Sequence, residues 1–220
     1  MKLKAVIFDL DDTLWKTCHV SYDRHVIMAK KLGLAVPEKE EFRSIWGLTW
    51  QKEVERLWPG HPFESYREAY IREFEDDAYP LHEGANEAIV FAKRKKLFAG
   101  IVTSRDRQSI APRSKQNGFR LELFDFVFAA DDTEAHKPDP KVFEQPLKFL
   151  SKKGVSAEET LYVGDLAIDY IAAKGNNMPF IAVLSGFAGE KDFVEAGLSK
   201  DRILPGVSSL PAFLMQNGWL

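Results

Sequence analysis

The stretch Ala5-Val6-Ile7-Phe8-Asp9-Leu10-Asp11-Asp12-Thr13-Leu14 sets an apolar run directly against a cluster of acids. Residues 5–8 are too few for a helix and are of the kind found in a strand buried on both faces. Asp9, Asp11 and Asp12 follow at once. Unpaired carboxylates at the end of such a strand are costly, because burial disfavours the ionised form and like charges raise one another's pKa. Two explanations are open at this point. Either the acids cap a turn at the surface, or they hold a metal ion at the carboxyl edge of a parallel sheet.

From Trp15 to about Tyr79 the pattern is helical. One helix is expected over 21–32 with Gly33 as its stop, and a second after Pro37. A third is capped by Thr49 and ended by Pro59-Gly60, and Phe63, Tyr66, Tyr70 and Phe74 mark a fourth. Three of the five tryptophans, Trp46, Trp50 and Trp58, fall in this block. A stacking site for a sugar or base would use them. A helical insert this small needs large aromatics for its own core, however, and we read them that way.

Beyond residue 80, strands alternate with helices. Strands are expected over 97–102, 124–129, 160–163 and 180–184, with a short sixth at 202–204. Helices fill the intervals, and Pro112 implies a kink or a late start in the one that Asn117-Gly118 closes. This alternation predicts an α/β fold, a doubly wound parallel sheet that binds its ligand beyond the carboxyl ends of the strands. Residues 1–15 and 80–220 are expected to form this core, and 16–79 a small all-helical cap inserted after the first strand.

The chain of 220 residues is 45% hydrophobic, enough for one good core and a small second unit. Its net charge of −3, from 30 basic and 33 acidic residues, exerts no general pull toward nucleic acid or an anionic membrane. Cys18 is the only cysteine, which excludes a disulfide framework and a cysteine-based zinc site. Lys2, Lys4 and Asp9 interrupt any signal-peptide core, and no apolar stretch approaches the roughly 20 residues of a membrane span. A cytoplasmic protein is expected, monomer or homodimer, acting without nucleic acid or membrane.

Four expected strands end in polar groups of complementary type: Asp9 and Asp11, then Thr103 and Ser104, then Lys137 shortly after the third, then Asp165 and Asp169. Each has an ordinary reading taken singly, as a helix cap, a turn or a solvated loop lysine. Together they gather several carboxylates at one edge, where repulsion demands a cation. Few ligands, all oxygen, favour Mg²⁺. A hydroxyl, free backbone amides and one ammonium beside that metal suit a phosphoryl group with charge on three equatorial oxygens.

The sequence resembles the haloacid dehalogenase-like hydrolases, in particular their phosphoglycolate phosphatase-like branch. Four motifs of that family stand in order: Phe8-Asp9-Leu10-Asp11-Asp12-Thr13-Leu14; Ile101-Val102-Thr103-Ser104; Lys137-Pro138-Asp139-Pro140; and Val163-Gly164-Asp165 with Asp169 four residues on. The resemblance implies a Mg²⁺-dependent phosphatase acting on a small phosphorylated metabolite. Asp9 would be the nucleophile that forms an aspartyl-phosphate, and Asp11 the acid that protonates the leaving oxygen and then deprotonates water. Leu10, Thr103, Ser104 and Lys137 would hold the phosphoryl group, with Thr103 and Lys137 also counted as catalytic. The implied metal set is Asp9, Asp11 through its backbone carbonyl, and Asp165, with Asp169 ordering metal-bound water or Lys137.

Departures from related enzymes bear on the chemistry. Dehalogenases of the superfamily lack the second aspartate of the first motif, so Asp11 argues against halide release. The β-phosphoglucomutases carry a basic residue in a Gly-containing cap loop, whereas Trp46-Gly47-Leu48-Thr49-Trp50 has none. Phosphonatases use a cap lysine; Lys52 is available, but nothing in the sequence marks it for that chemistry. A regulatory protein without turnover is the remaining alternative, but such proteins lose Asp9, Asp11 or Lys137, and all three are present here.

Overall fold

The computed structural model describes residues 2–220; Met1, the first residue of the expected core, lies outside them. Six strands form one parallel sheet: β1 (Ala5–Phe8), β2 (Phe98–Val102), β3 (Phe126–Phe128), β4 (Thr160–Gly164), β5 (Phe180–Val183) and β6 (Ile203–Leu204), in the order β3-β2-β1-β4-β5-β6. Register sets Phe8 opposite Ile101 on one side and Val163 on the other. The residues that follow these three strands therefore share one edge.

Alternation along the central strands feeds two cores. Val6, Phe8, Ile101, Leu161 and Val163 point to one face, covered by α5 (Ala85–Arg94) and α10 (Leu210–Gln216). Ala5, Ile7, Val102, Tyr162 and Phe180 point to the other, covered by α7 (Glu144–Ser151), α8 (Ala167–Lys174) and α9 (Glu190–Glu195). β1 is buried along its whole length, which is why its sequence shows no polar alternation. Between β2 and β3, α6 (Arg107–Asn117) begins five residues before Pro112 and continues through it, so the late start is not observed. β3 is shorter than expected. Asp125 just before it accepts the Ala99 N–H at 2.8 Å and an ion pair from Lys93 at 2.6 Å.

Between β1 and Leu81 stand four helices and no strand: α1 (Cys18–Leu32), α2 (Lys39–Ile45), α3 (Trp50–Leu57) and α4 (Phe63–Glu73). They enclose their own buried cluster, including Met28, Phe42, Val54, Trp58, Tyr66 and Tyr70. The two connections to the sheet run side by side: Lys16 N donates to Pro80 O at 2.7 Å and His82 N to Leu14 O at 2.9 Å. α1 begins three residues before the expected 21. The Asp12 carboxylate accepts the Thr17 and Cys18 N–H groups at 2.9 and 3.0 Å and so satisfies the first turn from outside. No helix among the described residues is long and apolar enough to cross a membrane.

Candidate active site

A cavity of about 330 Å³ opens between the carboxyl edge of the sheet and the helices α1–α4. Its wall includes Asp9, Asp11, Thr103, Ser104, Lys137, Asp165 and Asp169, every polar side chain to which the sequence assigned a role in the site. Leu10 differs: its side chain is fully buried in the sheet core, so only its backbone is available to a ligand. The strand ends explain the convergence, since Asp9 follows β1, Thr103 follows β2 and Asp165 follows β4. Lys137 comes from the loop after β3 and reaches across to them.

Lys137 Nζ lies 2.6 Å from Asp9 Oδ1 and 2.7 Å from Asp169 Oδ1, all three side chains being buried. Burial works against the lysine cation, but Asp169 and Asp9 outweigh it and hold its pKa well above the ordinary value. For Asp9, burial pushes the carboxyl up to about 8 against the pull of Lys137, with Asp169 and Asp11 adding to the rise. Asp169, grouped with the metal set but expected to order metal-bound water or Lys137, makes contacts that fit the second role. Its Oδ1 faces Lys137 and the Tyr162 hydroxyl at 3.0 Å, and its Oδ2 accepts the Leu166 N–H at 3.0 Å. Both oxygens thus have protein donors, which suits a group that positions Lys137.

Asp165 is the opposite case. It is 1% exposed, and its Oδ2 has no hydrogen-bond partner. Burial, then Asp12, Asp169 and Asp9, raise its pKa well above the carboxylate range. A Cβ on Gly186 would stand 2.1 Å from that oxygen, so only glycine leaves the space beside it open. An orphaned buried carboxylate oxygen, a second carboxylate in Asp9 and no nitrogen or sulfur donor fit a small hard cation. Among the described residues no three acidic, histidine or cysteine side chains form one metal-holding group. Few protein ligands suit Mg²⁺, which retains water. Asp12 takes the other explanation of the acid cluster: it is 1% exposed and serves the first turn of α1.

Asp11 reaches a partner that the sequence did not assign. Arg105 grips its carboxylate side-on, with Nε 3.2 and 3.1 Å from the two oxygens and Nη2 on Oδ1. The guanidinium also lies 4.7 Å from the Tyr79 ring centre and 5.4 Å from that of Trp15. From the helical insert, Glu53 enters the same cavity, 6% exposed. Burial and the charge of Asp11 push its carboxyl up to about 8, against the attraction of Arg105. The tryptophans divide. Trp58 is core, its Nε1 bonded to Ala35 O at 2.8 Å, whereas Trp46 and Trp50 are half-buried and also line the cavity. The packing role expected of all three is therefore complete only for Trp58.

A family model described as haloacid dehalogenase-like hydrolase matches residues 6–183. The chain belongs to the haloacid dehalogenase-like hydrolases. It is 28% identical over 198 residues to pyrophosphatase PpaX of Bacillus cereus, covering 83% of this chain and 84% of that one. Phosphoglycolate phosphatase of Thiobacillus denitrificans is 24% identical over 220 residues, 94% of each chain. Protein SUPPRESSOR OF QUENCHING 1, chloroplastic, of Arabidopsis thaliana is 29% identical over 191 residues, 83% of this chain but 18% of that much longer protein. Among solved structures, CbbY of Rhodobacter sphaeroides in complex with phosphate superposes with a TM-score of 0.79 at 23% identity, over 94% and 96% of the two chains.

For this haloacid dehalogenase-like hydrolase, Arg105, Glu53, Tyr79 and Tyr162 are cavity or supporting residues that sequence reasoning missed. Arg105 had a signal, since it directly follows Thr103-Ser104 at a strand end. Glu53 had none. An acid on an amphipathic helix is ordinarily solvated, and only the packing of the insert shows that this one is buried.

Proposed function

We propose that the protein is a Mg²⁺-dependent phosphatase that hydrolyses a small soluble phosphomonoester through an aspartyl-phosphate on Asp9. The observation that carries this is the buried Lys137–Asp9 ion pair on a cavity wall shared with Asp11, Thr103 and Asp165. A nucleophilic carboxylate needs its charge offset as it approaches a phosphate, and Lys137 stands where it serves both. Asp9 attacks phosphorus while Asp11 gives a proton to the leaving oxygen. Asp11 then takes a proton from the water that releases phosphate from Asp9. The Thr103 hydroxyl and the backbone amides of Leu10 and Ser104 hold phosphoryl oxygens. Asp9, Asp165 and the Asp11 carbonyl would hold Mg²⁺, which offsets charge on the nucleophile and the phosphoryl group when bound.

Residues 16–79 act as a cap that shields the site and selects the substrate, because the cavity is lined jointly by those helices and the sheet edge. The names of the relatives, pyrophosphatase and phosphoglycolate phosphatase, support phosphoryl chemistry. The absence of a basic residue in the loop 46–50 favours hydrolysis over transfer between two positions of a sugar phosphate. The substrate is a soluble metabolite, consistent with action in the cytoplasm.

The test is a phosphate-release screen over a panel of phosphorylated metabolites with Mg²⁺ and with a chelator. Release that depends on Mg²⁺ and disappears in Asp9→Asn is expected. Turnover that persists with chelator, or in Asp9→Asn, would overturn the assignment.

A further inference from the structure

We infer that Arg105 and Arg113 form a binding site for a second anionic group of the substrate, and that filling this site releases Asp11 to act on the phosphoryl end. This rests on the phosphatase reading above and extends it to the substrate class: a short phosphomonoester that also bears a carboxylate or a second phosphoryl group.

The starting point is a conflict of geometry at Asp11. Both of its oxygens lie in the fork of the Arg105 guanidinium. A carboxyl group held side-on in such a fork is not turned toward a leaving oxygen, so the acid has to leave Arg105 to do its work. That departure strands a guanidinium whose side chain is 13% exposed. A buried cation without an anion is costly, so the departure needs a replacement anion.

Glu53, Glu75 and Asp106 also line the cavity, but among the described residues none of them forms an ion pair with Arg105, and burial pushes the Glu53 carboxyl up to about 8. Tyr79 is ringed by three guanidiniums, with Arg24 4.4 Å, Arg105 4.7 Å and Arg113 6.0 Å from its ring centre. Arg24 has Asp77 at 3.9 Å. Arg113 also lines the cavity, and its partners are uncharged: the carbonyls of Glu75 and Asp77 and the Gln116 side-chain oxygen. Among the described residues it has no carboxylate within ion-pair distance, and Glu53 forms no ion pair. The cavity therefore presents one cation whose anion must move and a second with none. Lys137, the remaining lysine or arginine on the wall, is already held between Asp9 and Asp169.

An ester with its phosphoryl group at Asp9 and a second anion a few bonds away would take over the Arg105 fork and free Asp11 in one motion. A neutral ester of the same size would leave Asp11 gripped. Selection would then act on the acid as well as on affinity, through differential interaction with two arrangements of one ion pair.

The experiment compares kcat/KM, with Mg²⁺, for phosphoglycolate, pyrophosphate and 2-hydroxyethyl phosphate. The first two carry a carboxylate or a second phosphoryl group, and the third is neutral beyond its phosphate. Calorimetric binding of 3-phosphonopropionate against propylphosphonate repeats the comparison without turnover. The wild type is expected to prefer an anionic ligand by about 10- to 100-fold, the range of charge-assisted hydrogen bonds. Whichever anionic ester leads identifies the second group.

Arg105→Met should bring the ratio close to one, and Arg105→Lys should keep part of it. Arg113→Gln should lower it by a smaller factor. Thermal melting of each variant verifies the fold. A wild type without preference in either assay, or a folded Arg105→Met that keeps the wild-type ratio, overturns the inference. If no ester is hydrolysed but 3-phosphonopropionate still binds preferentially through Arg105, the anion site stands and the phosphatase reading fails. If esters are hydrolysed without preference, the reverse holds.

Discussion

The Lys137 ammonium stands 2.6 Å from the Asp9 carboxylate, across 128 residues of chain, with both side chains buried. Neither charge is tolerable there alone, so the pair must serve folding as well as chemistry. Lys137→Met should leave Asp9 and Asp169 uncompensated and lower stability by about 3–5 kcal/mol, in addition to removing turnover. Asp9→Asn keeps a hydrogen-bonding group opposite Lys137 and should fold, with turnover reduced by three orders of magnitude or more. Denaturant unfolding and phosphate release on the same preparations check both outcomes.

Asp165, unlike Asp9, forms no ion pair among the described residues. Its buried, orphaned oxygen and raised pKa mean that its charge opposes folding in the metal-free protein at neutral pH. Asp165→Asn should therefore hold or raise the melting temperature measured with chelator, while abolishing activity. Added Mg²⁺ should raise the wild-type melting temperature and leave that of the variant unmoved. A clear drop in metal-free stability would make Asp165 a structural residue.

His25 makes the helical insert sensitive to acid. It is 2% exposed, packed among Phe42, Trp58, Tyr66 and Tyr70 at centroid distances of 5.3–5.8 Å, and neither ring nitrogen has a partner. Burial lowers its pKa from 6.5 to about 4. Between those values the unfolded chain binds a proton that the folded protein refuses, so stability falls as pH drops from 6.5 toward 4, by up to about 1.4 kcal/mol per pH unit. His25→Phe should flatten this acid limb, as urea unfolding at pH 7 and pH 5 would register.

Glu53 carries the opposite dependence. With its pKa raised from 4.5 to about 8, the folded state keeps a proton that the unfolded chain gives up. The stability this group contributes is complete below pH 4.5 and is lost as pH rises through the window to 8. Glu53→Gln should therefore gain on the wild type progressively from pH 5 to pH 8.5. An advantage that stayed constant with pH would mean that Glu53 is ionised in the fold. Between pH 4.5 and 6.5 the His25 and Glu53 slopes oppose each other, so each variant should expose the slope of the other.

The sequence by itself determined the parallel sheet, the helical insert and seven of the polar residues on the cavity wall. These are carried by local signals: unbroken apolar runs for strands buried on both faces, aromatic spacing for the insert, and polar residues at strand ends that parallel topology must bring to one edge. What only the tertiary structure decided are the partners of those residues. Asp9, Asp11, Asp12, Asp165 and Asp169 are alike as letters. One is paired with Lys137, one is gripped by Arg105, one serves the first turn of α1, one is left with an orphaned oxygen, and one holds the lysine in place. Burial and pairing set what a carboxylate does, and both depend on neighbours up to 128 residues away in the chain. For the same reason Glu53 and Trp50 face the cavity while Trp58, eight positions after Trp50, is sealed in the insert's core. Helical periodicity separates an inner face from an outer one, but the outer face of α3 becomes a cavity wall only because the sheet edge lies opposite it.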